Sequence, residues 1–345
     1  MHFLWRCISG VFRWTWRILN FIREFILNVF LILLILVCVG IYFQMQSKPV
    51  EPVKGALLVN LTGVVVDNPA ISNKFSQLGR EILGANSNRL QENSLFDVVD
   101  MIRQAKTDPN ITGMVLSLND FAGADQPSLQ YIGKALREFR DSGKPIFATA
   151  DSYNQAQYYL ASYANKIYLS PQGVVDLHGM ATNNLYYKTL LDKLKVSTHI
   201  FRVGTYKSAV EPMIRDDMSP AARDADNQWL SGMWNNYLTT VAANRQITTE
   251  QLFPGAEGIL KGLQAVGGDT AKYALSNKLV DALASRSEVE NLFTKAFGWN
   301  KSTKDFSAIS MYDYTPPAAK QSGSEIAVIF ADGAIMDGEA TPEYN

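Results

Sequence analysis

Cysteine is nearly absent from these 345 residues, with Cys7 and Cys38 the only two. No disulfide can form within one chain after residue 38, so the remainder must hold together by packing. Histidine is as scarce: His2, His178 and His199 lie far apart. A zinc site of ordinary spacing needs clustered Cys and His, and none is supported. An excess of positive charge is also missing, since the net charge is -1. Nucleic-acid binding needs a basic footprint, so none is expected. No cofactor is expected either. What is present is apolar: 47% of the residues are hydrophobic. That is ample for a packed core and, by length, for about two domains.

The apolar content is concentrated first at the N-terminus. Phe25 to Phe43 reads FILNVFLILLILVCVGIYF, nineteen residues without a charge. A helix of about 20 apolar residues spans a bilayer. Arg6, Arg13, Arg17 and Arg23 precede it, against one acid, Glu24. The positive-inside rule places that end in the cytoplasm and the rest of the chain across the membrane. The apolar run exceeds that of a cleaved signal peptide, and bulky Ile41-Tyr42-Phe43 stand where a cleavage site needs small residues. An uncleaved anchor is the reading. Residues 1–24 mix Trp5, Phe12, Trp14 and Trp16 with the arginines, as a basic amphipathic interfacial segment would.

The second pattern is an internal repeat. Residues 56–67 read ALLVNLTGVVVD and residues 326–337 read IAVIFADGAIMD, so Gly63 and Asp67 recur as Gly333 and Asp337 at a constant offset of 270. Self-similarity at a fixed offset marks a duplicated unit. This offset is too long for a solenoid repeat, so the unit is a domain. The chain is read as one complete domain, 55–299, followed by a linker, 300–323, and the first strand of a truncated second copy, 324–345. Residues 44–54 form the linker after the anchor.

Within the first copy, strands alternate with helices. Strands are predicted at Gly55–Leu61, Ile111–Leu118, Ile146–Ala150 and Lys166–Leu169, with a further one at Thr198–Val203. Helices are predicted from Ser94 to about Asp108, over 127–141 and over 153–164. Ser94 and Ser219 are side-chain caps, Pro220 suits a first turn, and Ser285-x-x-Glu288 is a capping box. Ser219 opens a long helix to about Asn244, with shorter ones near 249–264, 269–277 and 285–297. Such alternation implies an α/β fold with a largely parallel sheet.

Two loops are candidates for chemistry. Asn119-Asp120-Phe121-Ala122-Gly123-Ala124 sits between a strand and a helix. A small-residue turn there suits backbone amides aimed at an oxyanion, although an ordinary connecting loop has the same composition. The second is Gly204-Thr205-Tyr206-Lys207-Ser208-Ala209-Val210-Glu211-Pro212-Met213. Lys207 lies among Val203, Tyr206, Ala209, Val210 and Met213. Apolar enclosure favours the neutral amine, which can act as a general base. Glu211 works against this, because a nearby carboxylate favours the ammonium.

GTYKSAVEP, the apolar anchor and the duplication together resemble the signal peptide peptidase A (protease IV) family of membrane-bound serine–lysine peptidases, in its long duplicated bacterial form. The resemblance covers nearly the whole chain, including WRCISGVFRWTWRILNFIRE. It implies a ClpP/crotonase-like domain of repeated β-β-α units, preceded by one transmembrane helix. It implies Lys207 as the general base. The family's nucleophile loop, N-S-P-G-G-S, is matched by Asn119 and Gly123, but Ala124 stands where the serine should be. A methyl group cannot attack a carbonyl. The first copy would therefore supply the lysine and the second copy the serine, and this chain alone would be inactive. Implied substrates are remnant signal peptides and other apolar peptides. Implied surroundings are the bacterial inner membrane with a periplasmic main domain, and a homotetramer. Alternatives are a non-catalytic anchored peptide-binding module, a crotonase-type acyl-CoA enzyme on the same fold, and a periplasmic solute-binding protein.

Overall fold

The computed structural model describes residues 2–45, 54–69 and 90–316. It divides into two compact units, Met1–Pro52 and Val53–Asn345. In the first, one helix, α1 (His2–Met45), runs through the basic segment and the anchor without a break. No glycine–proline punctuation separates them, so the helix does not stop at residue 24. The stretch long and apolar enough to cross a membrane is Trp16–Gly40, and none of it is buried. Its 25 residues rise about 37 Å, enough for a hydrocarbon core of about 30 Å.

The second unit is built on parallel strands. In chain order its elements are β1 (Gly55–Val59), β2 (Gly63–Val66), β3 (Glu92–Ser94), α2 (Leu95–Thr107), β4 (Ile111–Ser117), β5 (Phe121–Gly123), α3 (Gln126–Arg140), β6 (Ile146–Ala150), α4 (Gln155–Ala161) and β7 (Lys166–Leu169). There follow α5 (Lys188–Lys193), α6 (Glu211–Ile214), α7 (Pro220–Arg245), α8 (Thr249–Leu252), α9 (Gly255–Ala265), α10 (Thr270–Ser276), β8 (Ala282–Leu283), α11 (Arg286–Phe297), β9 (Trp299–Asn300), β10 (Asp305–Phe306) and β11 (Ala308–Ser310). The main sheet has the order β11-β1-β4-β6-β7-β8, and a small sheet has the order β3-β2-β5. All pairings in both are parallel.

The two sheets explain the repeat. β1 lies in the main sheet and β2 in the small one; β4 and β5 repeat the step, and α3 closes that turn. At β6 the second step shrinks to a single parallel bridge, Tyr153 to Val175, before α4. These are the β-β-α turns of a ClpP/crotonase-like fold.

Alternation along the strands sorts the core onto two faces. Leu57, Val59, Met114, Leu116, Ile146, Ala148, Ile167 and Leu169 face α2, α3 and α4, where Val99, Ile102, Ile132, Leu136 and Tyr158 meet them. The opposite face carries Ala56, Val115 and the partly buried Phe147, packed against Val289, Phe293 and Phe297 of α11. The Phe147 ring lies 5.8 Å from Phe293 and 5.7 Å from Phe297. The helix boundaries follow their caps. Ser94 accepts from the Asp97 amide, Ser219 from Ala222, and Ser285 and Glu288 close a capping box.

Three sequence expectations need correction or fall outside view. Residues 300–310, read as linker, include β9, β10 and β11, and β11 pairs with β1 at the edge of the main sheet. The polar composition hides this, because few apolar residues, Phe306, Ala308, Ile309, Met311 and Tyr314, pack there. Thr198–Val203 is not a strand. Its apolar residues find no sheet to join, and Phe201 is 98% exposed. The first strand of the second copy, 324–345, lies outside the described residues, as do residues 46–53 of the first linker and 317–323 of the second.

Candidate active-site loops

The loop after β4 is tied down rather than open. Phe121–Gly123 form β5 and pair with Gly63 and Val64 of β2. Asn119 exchanges two hydrogen bonds with Asp151: its Nδ2 donates to Oδ2 at 3.2 Å, and the Asp151 amide donates to its Oδ1 at 2.6 Å. The Phe121 carbonyl accepts from Gln157 Nε2 at 2.9 Å. Ala124 packs against the main core, and Asp125 caps α3 by accepting from the Ser128 amide. The expected free turn of amides is therefore a short strand in a sheet. Its position at the end of β4, facing the end of β6, is kept. Ala124 brings only a methyl group to the end of this loop.

Lys207 lies on a long excursion between β7 and α7. Between residues 174 and 220, Glu211 alone is buried. Lys207 is exposed, and of the apolar residues expected to enclose it only Val210 is partly buried, with Val203 84%, Tyr206 65% and Met213 51% exposed. The enclosure anticipated from sequence is thus not formed within the described residues. Lys207 Nζ has no ion pair among them either. Its carbonyl accepts from Arg202 Nη1 at 3.1 Å. Gly204, at φ +110°, turns the chain into the loop, a conformation that a side chain would strain.

Glu211, four residues on, answers the objection raised against Lys207. It is 1% exposed, and its Oε2 accepts from the Ser219 amide at 3.0 Å. Arg202 Nη1 lies 3.7 Å from its Oε1. Hydrogen bonding from Ser219, assisted by Arg215 and Arg202, holds the Glu211 carboxyl below the usual carboxylate range despite burial. Its charge is met by arginines. Sequence reasoning passed over Arg202, and its nine-residue separation from Glu211 follows neither a helix nor a strand period.

Elsewhere the polar groups are structural. A cleft of about 670 Å³ is lined by Arg140, Arg245, Lys278 and Asp281, among others. Arg245 is committed there to Asp281 and to the Lys278 carbonyl. Among the described residues, no group of three His, Cys, Asp or Glu side chains could hold a metal ion.

The Lys207 loop is carried on a two-sheet β-β-α domain, the architecture of a ClpP/crotonase-like protein. The profile of peptidase family S49 matches residues 138–295, which include that loop. That segment of the chain carries the family's profile. It is 65% identical over 344 residues to Protease 4 of Salmonella typhi, a match covering 99% of this chain and 56% of that protein. It is 41% identical over 341 residues to Protease 4 of Haemophilus influenzae, covering 96% of this chain and 55% of that protein. The chain therefore spans little more than half the length of these relatives. Among solved structures, a mutant of the 1510-N membrane-bound stomatin-specific protease in complex with a substrate peptide aligns with 74% of this chain and 91% of its own. Its identity is 12% and its TM-score 0.28, a likeness too loose to build on.

Proposed function

We propose that this chain is the base-bearing part of a membrane-anchored serine endopeptidase with a Ser-Lys dyad. The observation that carries the reading is Lys207, exposed and with no ion pair among the described residues, on a chain whose Ala124 stands where the family resemblance implies the nucleophile. The serine comes from a second domain of the same fold, within one full-length chain or from a neighbouring one. The Lys207 amine takes the proton from the serine hydroxyl as the serine oxygen attacks the peptide carbonyl carbon. Backbone amides of the second domain hold the oxyanion. The tetrahedral intermediate collapses and the C–N bond breaks. The lysine returns its proton to the leaving amine, and an acyl-enzyme remains. Water, deprotonated by the Lys207 amine, then attacks the ester, and the proton passes to the departing serine oxygen.

The substrates proposed are remnant signal peptides and other apolar peptides held at the bilayer. The anchor α1 keeps the site at that surface, with the N-terminus cytoplasmic and the main domain periplasmic in the bacterial inner membrane. A tetramer is proposed for the full-length form. The test is hydrolysis of a fluorogenic apolar peptide by the 345-residue chain, by a chain extended to the relatives' length, and by the extended chain carrying Lys207→Met. Activity only in the extended wild type supports the split dyad. Activity in the short chain would place a nucleophile within these residues, with Ser208 the first suspect, and would end the proposal. The non-catalytic alternative predicts no hydrolysis by any of the three.

A further inference from the structure

We infer that Arg202 and Glu211 form a clamp that positions Lys207, an inference that rests on the general-base role just proposed. The loop around Lys207 has little else to fix it. It belongs to no sheet, its side chains from Thr205 to Ala209 are exposed, and Gly204 turns the chain into it at φ +110°. Arg202 Nη1 reaches both the Lys207 carbonyl, at 3.1 Å, and Glu211 Oε1, at 3.7 Å. Glu211 is in turn fixed to the Ser219 amide, and Ser219 caps the 26-residue helix α7. The Glu211 amide also donates to the Ser208 carbonyl at 2.9 Å, holding the next peptide of the loop. The backbone at Lys207 is thus referred, through one guanidinium and one carboxylate, to the start of a long helix.

The form of the clamp argues for positioning rather than simple stability. Glu211 Oε1 is buried and has no hydrogen-bond partner among the described residues; Arg202 is its ion-pair partner, with Arg215 adding positive charge nearby. A buried charge is costly unless well paired, and apolar residues of similar volume commonly hold such a place at no loss of stability. A carboxylate there fixes a direction that an apolar side chain would not. Arg202 offers planar, multiple donors, so one side chain can serve the carbonyl and the carboxylate together. Misplacement of a catalytic group by about 1 Å costs on the order of a hundredfold in rate. Arg202 and Glu211 are positioning residues, since neither touches the reacting atoms.

The experiment uses the chain extended to the relatives' length and a fluorogenic apolar peptide. Arg202→Met keeps the aliphatic bulk and removes the donors and charge. It is expected to lower kcat by roughly tenfold or more, with KM within about twofold. Arg202→Lys, which restores a cationic donor, is expected to recover most of that loss. Glu211→Gln should mirror Arg202→Met, and the double variant should be no worse than the single one. Arg202 is 35% exposed, so its variants carry the test even if the buried Glu211 tolerates no change. A kcat within twofold of wild type in Arg202→Met overturns the clamp, as does equal activity of the Met and Lys variants. Lys207→Met separates the two ideas. If it is inactive while Arg202→Met is fully active, only the clamp falls. If Lys207→Met is itself active, the base assignment falls first.

Discussion

Gly113 shows how closely the sheet and its outer helix approach. A Cβ placed there would sit 2.6 Å from Phe297 Cε1 and 2.9 Å from the Pro145 carbonyl oxygen. The ring belongs to the aromatic cluster of α11, and the carbonyl accepts the Met114 amide within the ladder, so neither yields freely. Gly113→Ala is expected to cost about 1–3 kcal/mol, read as a lower urea midpoint. An unchanged midpoint would mean that α11 shifts outward without penalty. Glu211 makes a second prediction at this scale. Its folded carboxyl titrates below the usual range, with Ser219 the main cause. The stability it contributes is full above the unfolded value of about 4.3 and is lost as pH falls through the lower folded value. Glu211→Gln should therefore flatten the acid limb of a Tm-against-pH curve and leave its slope above pH 6 unchanged. An acid limb identical to wild type would show that the carboxylate is equally stabilised when unfolded. The Arg202–Glu211 pair was not legible in the sequence. Lys207 was singled out by its motif, but nothing local signals that an arginine five residues earlier turns back to its carbonyl.

At the level of elements, long patterns were read correctly and short ones were not. β1, β4, β6 and β7 are nearly continuous apolar runs, because a parallel sheet is covered on both faces. α2, α3 and α11 were marked by stripes and caps, which are local properties. β5, β8 and β11 have two or three residues each, too few for any period to show. They exist because neighbours already in place offer free edges. The mistaken strand at Thr198–Val203 is the converse case, β-prone residues for which no edge is available. β11 and its extension also supply a prediction. Tyr314 donates to Asp108 Oδ2 at 3.0 Å, and Tyr312 donates to Asn93 Oδ1 at 2.9 Å, stitching the segment to the start of β4 and to β3. Asp108 is 5% exposed, so Tyr314→Phe leaves one of its oxygens without that partner. The expected cost is about 1–3 kcal/mol. Hydrogen exchange should show faster opening of residues 308–311 in the variant than of β4. Equal exchange at both would mean that β11 is held by packing alone.

At the scale of the whole molecule, the two units solve different solvent problems. In the first, every side chain described from Phe21 to Val39 lies open, and none of Trp16–Gly40 is buried. Exposed apolar area costs roughly 25 cal/mol per Å² in water, so a helix of this length is relieved only by lipid, detergent or association. The second unit has its own core on both faces of the main sheet. Stability should therefore reside in the second unit and membrane attachment in the first. A variant lacking residues 2–45 is expected to leave the membrane fraction in an alkaline wash that retains the parent chain. It should also unfold in urea as cooperatively as the parent does in detergent, with the same midpoint. The apolar side chains around Lys207 sharpen the test, because they stay in the truncated protein. If the variant remains with the membrane, Leu185, Leu194, Phe201 and Val203, all more than 60% exposed, hold a second contact with it. Loss of the cooperative transition would show instead that the folded state of the second unit depends on α1, and the two units would have to be treated as one.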